Sequence, residues 1–519
     1  MRFKASIATS IIFTIHLSGC AVSGQPDEST SHQSVLTNCS SLLPMSAYSS
    51  IPIDRDKELI VRNVSVVDDP CRTAWNGIGC TSTLGKWTFG QLMATMSGNS
   101  DVTSPIARNF VSQWLQFWLS PQTNVNPARP QTVAARPNIG SVLLWRWLQA
   151  STGTGCGMNT PPQATTNPAT WLTALQNCPG LDLKVAPFRL LAISNRIDLD
   201  GRDYSGNGAP GELRFAFGFF NTSTPTATSG NAEVILEYHF PNTFPASWWA
   251  SMFHNMSNVA FGPSFASQLQ SITDLVVGPN AQPGGPNNGS SIGQIRTDEN
   301  VFDPTPGASN KQWEFRQFAL PCTTGTCLLA QVPVSQTPPT TDNTTPALTT
   351  FLTDNQAAIS TSSHVVPASM LGGSSLSPQP AIGPTVWNTT GDDFNGHTLV
   401  DPSDRFFSFT VRHNFAFSTC IGCHYLETAN TIAKLFHINP RAPGAESPLS
   451  PFLNTTPSTD PATDANNKLS VLDPNGEYFD LTNQTAITFE YNEIWRRACE
   501  IRRIFAGFSV PFSTTTGHH

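Results

Sequence analysis

Between residues 56 and 335 the apolar positions follow helical spacing in some blocks and strand spacing in others. Glu58-Leu-Ile-Val-Arg-Asn-Val-Ser-Val66 alternates well enough to predict a first strand. Lys86–Met93 and Asn109–Leu119 then read as helices. In the second, Phe110, Trp114, Phe117 and Trp118 form an aromatic stripe, which is read as core packing rather than as an electron path or ligand platform. Ser141–Leu148 predicts a third buried helix. The clearest strands follow at Phe188–Ile193, Glu212–Phe220 and Glu233–Phe240, with Trp313–Leu320 expected in the same sheet. Residues 274–310 are rich in Gly, Asn and Pro, and 332–400 in Thr, Ser, Pro and Asn, so both read as loops or connections. A last helix is predicted from Thr485 to about Ala506, with Ile494, Trp495, Ile501 and Phe505 turned inward.

Composition narrows the class. A chain of 519 residues is too long for one ordinary core. With 39% hydrophobic residues, 32 Phe and 12 Trp, it is not a disordered chain. A net charge of −8 favours neither nucleic acid nor an anionic membrane surface as partner.

The N-terminus is basic at Met1-Arg-Phe-Lys4, and a mostly apolar run from Ala5 to Leu17 follows. That run is too short to span a membrane and has the form of a secretory signal. Its end, Leu17-Ser-Gly-Cys20, resembles the lipobox of bacterial lipoproteins. The resemblance implies cleavage after Gly19 and a lipid on Cys20, and the Ser-, Thr- and Pro-rich composition that follows reads as a tether over 20–55. It also implies an exported protein held by its lipid at the outer membrane of a Gram-negative bacterium.

Export changes how the cysteines are read. Cys39, Cys71, Cys80, Cys156, Cys178, Cys322, Cys327 and Cys499 make an even set suited to disulfides. Short turn-forming loops favour Cys71–Cys80 and Cys322–Cys327. Cys156–Cys178 is a further candidate, which leaves Cys39–Cys499.

Cys420-Ile-Gly-Cys423-His424 is set apart from these. In an exported chain this C-x-x-C-H pentapeptide is the attachment signature of haem c. Two cysteines three apart lie on one face of a helical turn, and the next residue stands beneath the iron. A small disulfide, a thioredoxin-like redox pair and half of a zinc site are the competing readings. At these five residues the chain resembles the c-type cytochromes. The resemblance implies one covalent haem c on Cys420 and Cys423, with His424 as proximal iron ligand. No Met follows Cys423, so the downstream Met of typical class I cytochromes is missing and His437 is the expected second ligand. His413, His364, His397 and Met370 are the other candidates. Arg412 and Arg441 are candidates to pair with the propionates.

The fold expected is α+β and multi-domain. It comprises a signal peptide (1–19), the tether (20–55), an α+β exported domain (56–335), a Pro/Ser/Thr-rich connection (336–400) and a mainly α, haem-c-like C-terminal region (401–507). The function expected is electron transfer by a lipid-anchored monohaem protein with an unidentified redox partner. A haem peroxidase- or oxygenase-like enzyme with an open sixth site is one alternative. A non-redox exported binding or surface lipoprotein is the other. Asp198-Leu-Asp-Gly-Arg-Asp-Tyr-Ser-Gly-Asn-Gly208 carries enough Asp to raise calcium, but it misses the EF-hand pattern and reads as a polar turn instead. His239 and His254 are isolated and read as structural. No H-E-x-x-H occurs.

Overall fold

The structure is a computed structural model. It describes the backbone of 32–34 and, between 51 and 507, all residues except 75–79, 81–83, 152–155, 157–166, 179, 200–209, 221–230, 283–287, 304–311, 324–325, 344, 361–363, 378–410, 429–435, 459–463, 465, 473–477, 481–484 and 487. The expected signal peptide, Cys20, Cys39 and His397 lie outside the described residues. Among the described residues no helix is long and apolar enough to cross a membrane.

The strands, in chain order, are β1 (His32–Ser34), β2 (Ile60–Val61), β3 (Phe188–Arg196), β4 (Glu212–Phe219), β5 (Ala232–His239), β6 (Ile292–Glu299), β7 (Glu314–Ala319), β8 (Cys322–Thr323), β9 (Thr326–Cys327), β10 (Ala330–Val332), β11 (Ser375–Leu376), β12 (Leu469–Leu472), β13 (Tyr478–Asp480), β14 (Thr485–Ala486) and β15 (Thr488–Tyr491). An eight-stranded sheet runs β10-β7-β6-β5-β4-β3-β2, with β11 also paired to β7. All its pairings are antiparallel. A smaller sheet has the order β1-β15-β12.

The helices are α1 (Val64–Val67), α2 (Phe89–Met96), α3 (Pro105–Leu115), α4 (Trp145–Ala150), α5 (Pro168–Gln176), α6 (Ala246–His254), α7 (Pro263–Val277), α8 (Pro346–Asp354), α9 (Gln356–Ser360), α10 (411–417), α11 (Cys420–His424) and α12 (Glu493–Phe505). Most of the longer ones begin at a side-chain cap. Thr88, Ser104, Asn167, Thr345 and Asn492 each accept a backbone N–H of the first turn.

Strand alternation gives the large sheet one apolar and one ionic face. Leu213, Phe215 and Phe217 of β4, Val234 and Leu236 of β5 and Phe318 of β7 belong to the main core. There Phe89 of α2 packs on Phe188 and Phe217, and Trp114 and Trp118 pack on Phe318. The aromatic stripe is core. The opposite face carries Ser194, Arg196, Arg214, Glu233, Glu237, Arg296 and Asp298, and all of them are buried.

Several expectations are corrected. The chain from Glu58 to Val66 is not one strand: a turn of wide helix over Arg55–Leu59 leads into the two residues of β2, and α1 follows. Asn63 ends the strand, because its side chain caps α1 by accepting Ser65 N–H. The Gly/Asn/Pro-rich stretch 274–310 contains β6, a central strand of the sheet. The expected helix from Thr485 begins only at Glu493, and β14 and β15 precede it.

The fold-class expectation also fails in the C-terminal third. Among the described residues no small, mainly α haem-c-like region stands there. The fold is one large mixed α+β arrangement organised on the eight-stranded sheet. Within 401–507 lie β12 to β15, and Cys423, Phe417, Phe452 and Ile494 share the main core with α2, α3 and the sheet.

Candidate functional site

Thr419 starts α11, its Oγ1 accepting Gly422 N–H at 3.1 Å. A Cβ on Gly422 would stand 1.8 Å from the Ala416 carbonyl oxygen, so α10 and α11 approach too closely for any other residue. Cys420 and Cys423 are free thiols, 2% and 0% exposed, and they enter two different apolar clusters. Burial pushes the Cys420 thiol up to about 11 and Cys423 well above its usual value. Neither is an activated nucleophile.

The next residue leaves the core. The His424 ring lies over Trp313 with centroids 5.3 Å apart, and its Nδ1 stands 3.7 Å from Asp298 Oδ2. His437 reaches the same place, with ring centroids 4.5 Å from His424. Both His437 nitrogens have protein partners. Nε2 meets Cys423 Sγ at 3.5 Å and Nδ1 meets Ser450 Oγ at 2.9 Å. Burial, followed by the charges of neighbouring groups, holds its pKa well below the usual imidazole value.

These two imidazoles roof a cavity over the ionic face of the sheet. It holds about 660 Å³ of space, part of it open to solvent. Its floor includes Arg196, Arg214, Glu233, Glu237 and Arg296, and its roof includes His437, Phe452 and Arg497. The charges on the floor are ordered. Arg214 binds Glu212 through Nε and Nη2, at 2.9 and 2.7 Å. Arg296 grips Glu237 bidentately at 2.8 and 2.6 Å. At one end, Arg196 is bidentate on Asp198 at 2.9 and 3.0 Å, and Arg496 shares Asp198 at 2.7 Å. Glu493 is gripped by Arg496 and receives Arg497 Nε at 2.8 Å. Burial works against the Asp198 charge, but Arg196 and Arg496 hold its carboxyl well below the usual range.

At the other end, Glu233 of β5 and Asp298 of β6 face each other directly in register. Both are buried, and neither oxygen of Asp298 receives a well-formed hydrogen bond. Burial raises each well above an ordinary carboxyl. The Asp298 charge raises Glu233 further, whereas on Asp298 the contact with Glu233 opposes the rise and the charge of Glu299 adds to it. Like charges directly opposite on adjacent strands destabilise a sheet, so the pair is held in its protonated or half-protonated form. Glu233 also lines a second, apolar cavity, which Asp298 and Glu299 border from β6.

The structure brings His424 and His437 together, as the sequence led one to expect, but not as iron ligands. Two imidazoles on opposite sides of one iron need a porphyrin plane between them, and centroids 4.5 Å apart leave no room for it. Among the described residues no group of three or more His, Cys, Asp or Glu is placed to hold a metal. The other expected ligands are elsewhere. His413 lies between Tyr491 and Glu427, His364 packs against Phe351 and Phe415, and Met370 borders a separate apolar cluster. The expected propionate partners are engaged too. Arg412 pairs with Glu427, and Arg441 binds Asp68 and the carbonyls of Val67 and Leu190. The calcium reading fails at Asp198, whose carboxylate is taken by arginines, while 200–208 lie outside the described residues. His254 bonds Glu58, and His239 is buried in β5.

The cysteines used structurally are the ones set aside from the pentapeptide. Cys71–Cys80, Cys156–Cys178 and Cys322–Cys327 are disulfides. Cys499 is disulfide-bonded as well, and Cys39, expected as its partner, lies outside the described residues.

Sequence reasoning did not find Glu233, Asp298, Arg196 or Arg497. Charged residues at alternate positions of strongly apolar strands were the available signal, and it reads more simply as a solvated sheet face. No family model matches the chain, and neither the curated proteins nor the solved structures contain a match. The expectations of a c-type cytochrome, a haem c cofactor, a haem peroxidase- or oxygenase-like enzyme and a lipid-anchored redox protein are therefore withdrawn. They rested on five residues, of which Cys420 and Cys423 are buried in apolar clusters and His424 faces the cavity, and on four residues outside the described ones.

Proposed function

We propose that this chain is an acid–base enzyme acting on a small molecule bound in the cavity beneath His424 and His437. The observation that carries this reading is the directly opposed, buried Glu233–Asp298 pair. A fold gains no stability by facing two carboxyls across adjacent central strands, whereas a shared proton there is useful for chemistry. One member holds the proton and the other can accept one. His424, 3.7 Å from Asp298, is placed to pass the proton to a molecule in the cavity after a small shift or through one water. His437, kept neutral by burial and held by Cys423 and Ser450, closes the other side of the site. Trp313 and Phe315 hold the His424 ring from the side. The disulfides support export to an oxidising compartment, where such bonds persist.

The test uses infrared spectroscopy and turnover together. A protonated carboxyl band should persist at neutral pH in the wild type and vanish in Asp298→Asn and Glu233→Gln. Against a panel of small organic substrates, both variants should lose about a hundredfold or more of any turnover found. A pair fully ionised at neutral pH, or a variant with unchanged turnover, defeats the reading.

A further inference from the structure

The end of the cavity remote from Glu233 holds an unbalanced charge. Three arginines, Arg196, Arg496 and Arg497, meet two carboxylates, Asp198 and Glu493. All five are buried. Farther along the floor, Glu212 and Glu237 balance Arg214 and Arg296. The local excess at this end is thus one positive charge, set apart from the carboxyl pair at the other end, and it falls where Arg196 and Arg497 line the cavity. Arg196 is 1% exposed, yet its Nη1 has no hydrogen-bond partner, and the same is true of Nη1 on Arg496. Burying an uncompensated cation costs several kcal/mol, so the arrangement is complete only with an anion present.

Strand register gives the distance from there to the carboxyl pair. Arg196 sits opposite Glu212 on β4, and Glu233 sits opposite Gly218 on the same strand. From Glu212 to Gly218 is roughly 20 Å along the strand. Once the Arg and Glu side chains lean inward, a gap on the order of 10 Å remains. Between the two ends the Arg214, Glu237 and Arg296 pairs of the floor are interleaved with Ala216, Ile235, Phe315, Ile438, Phe452 and Leu453, so that most of the surface facing the cavity is apolar. A bare inorganic ion would satisfy one end and leave this middle filled with water.

We propose that the cavity binds a linear organic anion, its charged group on Arg196 and Arg497, its apolar chain over Ala216 and Ile235, and its far end beside Glu233. The anion's placement rests on the arginines alone. Only the role given to its far end rests on the acid–base reading above.

Titration calorimetry on the full chain tests this with octanoate, octanamide, acetate and inorganic phosphate as probes. Octanoate should bind at least about tenfold more tightly than each of the other three. Arg497→Gln should lower its affinity about tenfold or more, and Arg497→Lys should recover part of the loss. Thermal unfolding confirms that each variant is folded. Asp298→Asn should keep octanoate affinity within about threefold, so loss of the acid–base reading leaves this result standing. Octanamide binding as tightly as octanoate would overturn the role of the arginines. Phosphate or acetate matching octanoate would overturn the elongated ligand. An absence of octanoate binding, or an unaffected Arg497→Gln, would overturn the proposal as a whole.

Discussion

Replacing Glu427 by Gln is expected to destabilise the protein by about 3 kcal/mol at neutral pH, with the difference fading in acid. Glu427 sits at the centre of a fully buried chain of polar groups. Arg412 Nη1 donates to one oxygen at 2.6 Å, and His413 Nδ1 lies 2.6 Å from the other. The second His413 nitrogen meets the Tyr491 hydroxyl, and Phe489 stacks on the ring at 3.4 Å. Burial works against the Glu427 charge, but Arg412 and His413 prevail and bring the carboxyl from 4.5 down to about 2. At about 1.4 kcal/mol per pKa unit, that shift corresponds to the roughly 3 kcal/mol quoted. The carboxyl is depressed on folding, so this stability is fully present above the unfolded value near 4.5 and is lost as pH falls towards 2. Gln cannot ionise, so the variant lacks that dependence and also leaves Arg412 a buried cation without its carboxylate. Urea unfolding of wild type and variant from neutral pH to about pH 3 measures the difference directly. A difference below about 1 kcal/mol at neutral pH, or one that stays constant into acid, would refute the argument.

Two further outcomes follow from groups outside the cavity. Glu299 is raised to about 7 by burial and by the charge of Glu314, with Arg136 opposing. Its contribution is therefore full below the unfolded value near 4.5 and lost as pH rises through 7, so Glu299→Gln should flatten the stability profile across that window. Equal slopes in the two proteins, read by urea unfolding at several pH values, would contradict this. Removing the Cys156–Cys178 disulfide with a double Ala substitution should cost about 3 kcal/mol, from the loop entropy of its 22-residue separation. An unchanged unfolding midpoint would show that the bond does not constrain the unfolded chain.

Much of the sheet could be read from the chain, and the exceptions have a common cause. β3, β4, β5 and β7 announce themselves through β-branched and aromatic residues at alternate positions. β6 does not, because Gly293-Gln-Ile-Arg-Thr-Asp-Glu299 presents polar groups on both of its faces. Gly293 is required there because a Cβ would stand 2.4 Å from the His239 ring. A strand of this kind is stable only when other polar groups cover it, and that cover comes from far along the chain, beginning at His424. Cys71–Cys80 and Cys322–Cys327 were legible because short loops limit their partners, while Cys156–Cys178, at a separation of 22 residues, stood only as a further candidate. The pentapeptide misled for the opposite reason: five residues specify a local turn, whereas Thr337, Trp313 and Asp298 decide what surrounds it. Likewise Arg and Glu alternate in α12 as they do on solvated helix faces, but Asp198 lies across from them and makes the face an interior one.

The order in which the two sides of the cavity occur along the chain has a consequence for biogenesis. β3 to β7 end at Ala319, while the groups that close over their ionic face begin at Cys420. A growing chain thus completes the sheet while its arginines and carboxylates are still in water, and only its apolar face needs an early partner in α2, α3 and α7. Such a platform is hydrated rather than adhesive, which protects it from self-association while the rest is made. Drying the charged side is left to the last step of maturation, at a cost of several kcal/mol for each ion stripped of water before its pair is formed. Dissolved salt can screen those ions only until the cover shuts, so ionic strength acts on the speed of closure more than on the finished protein.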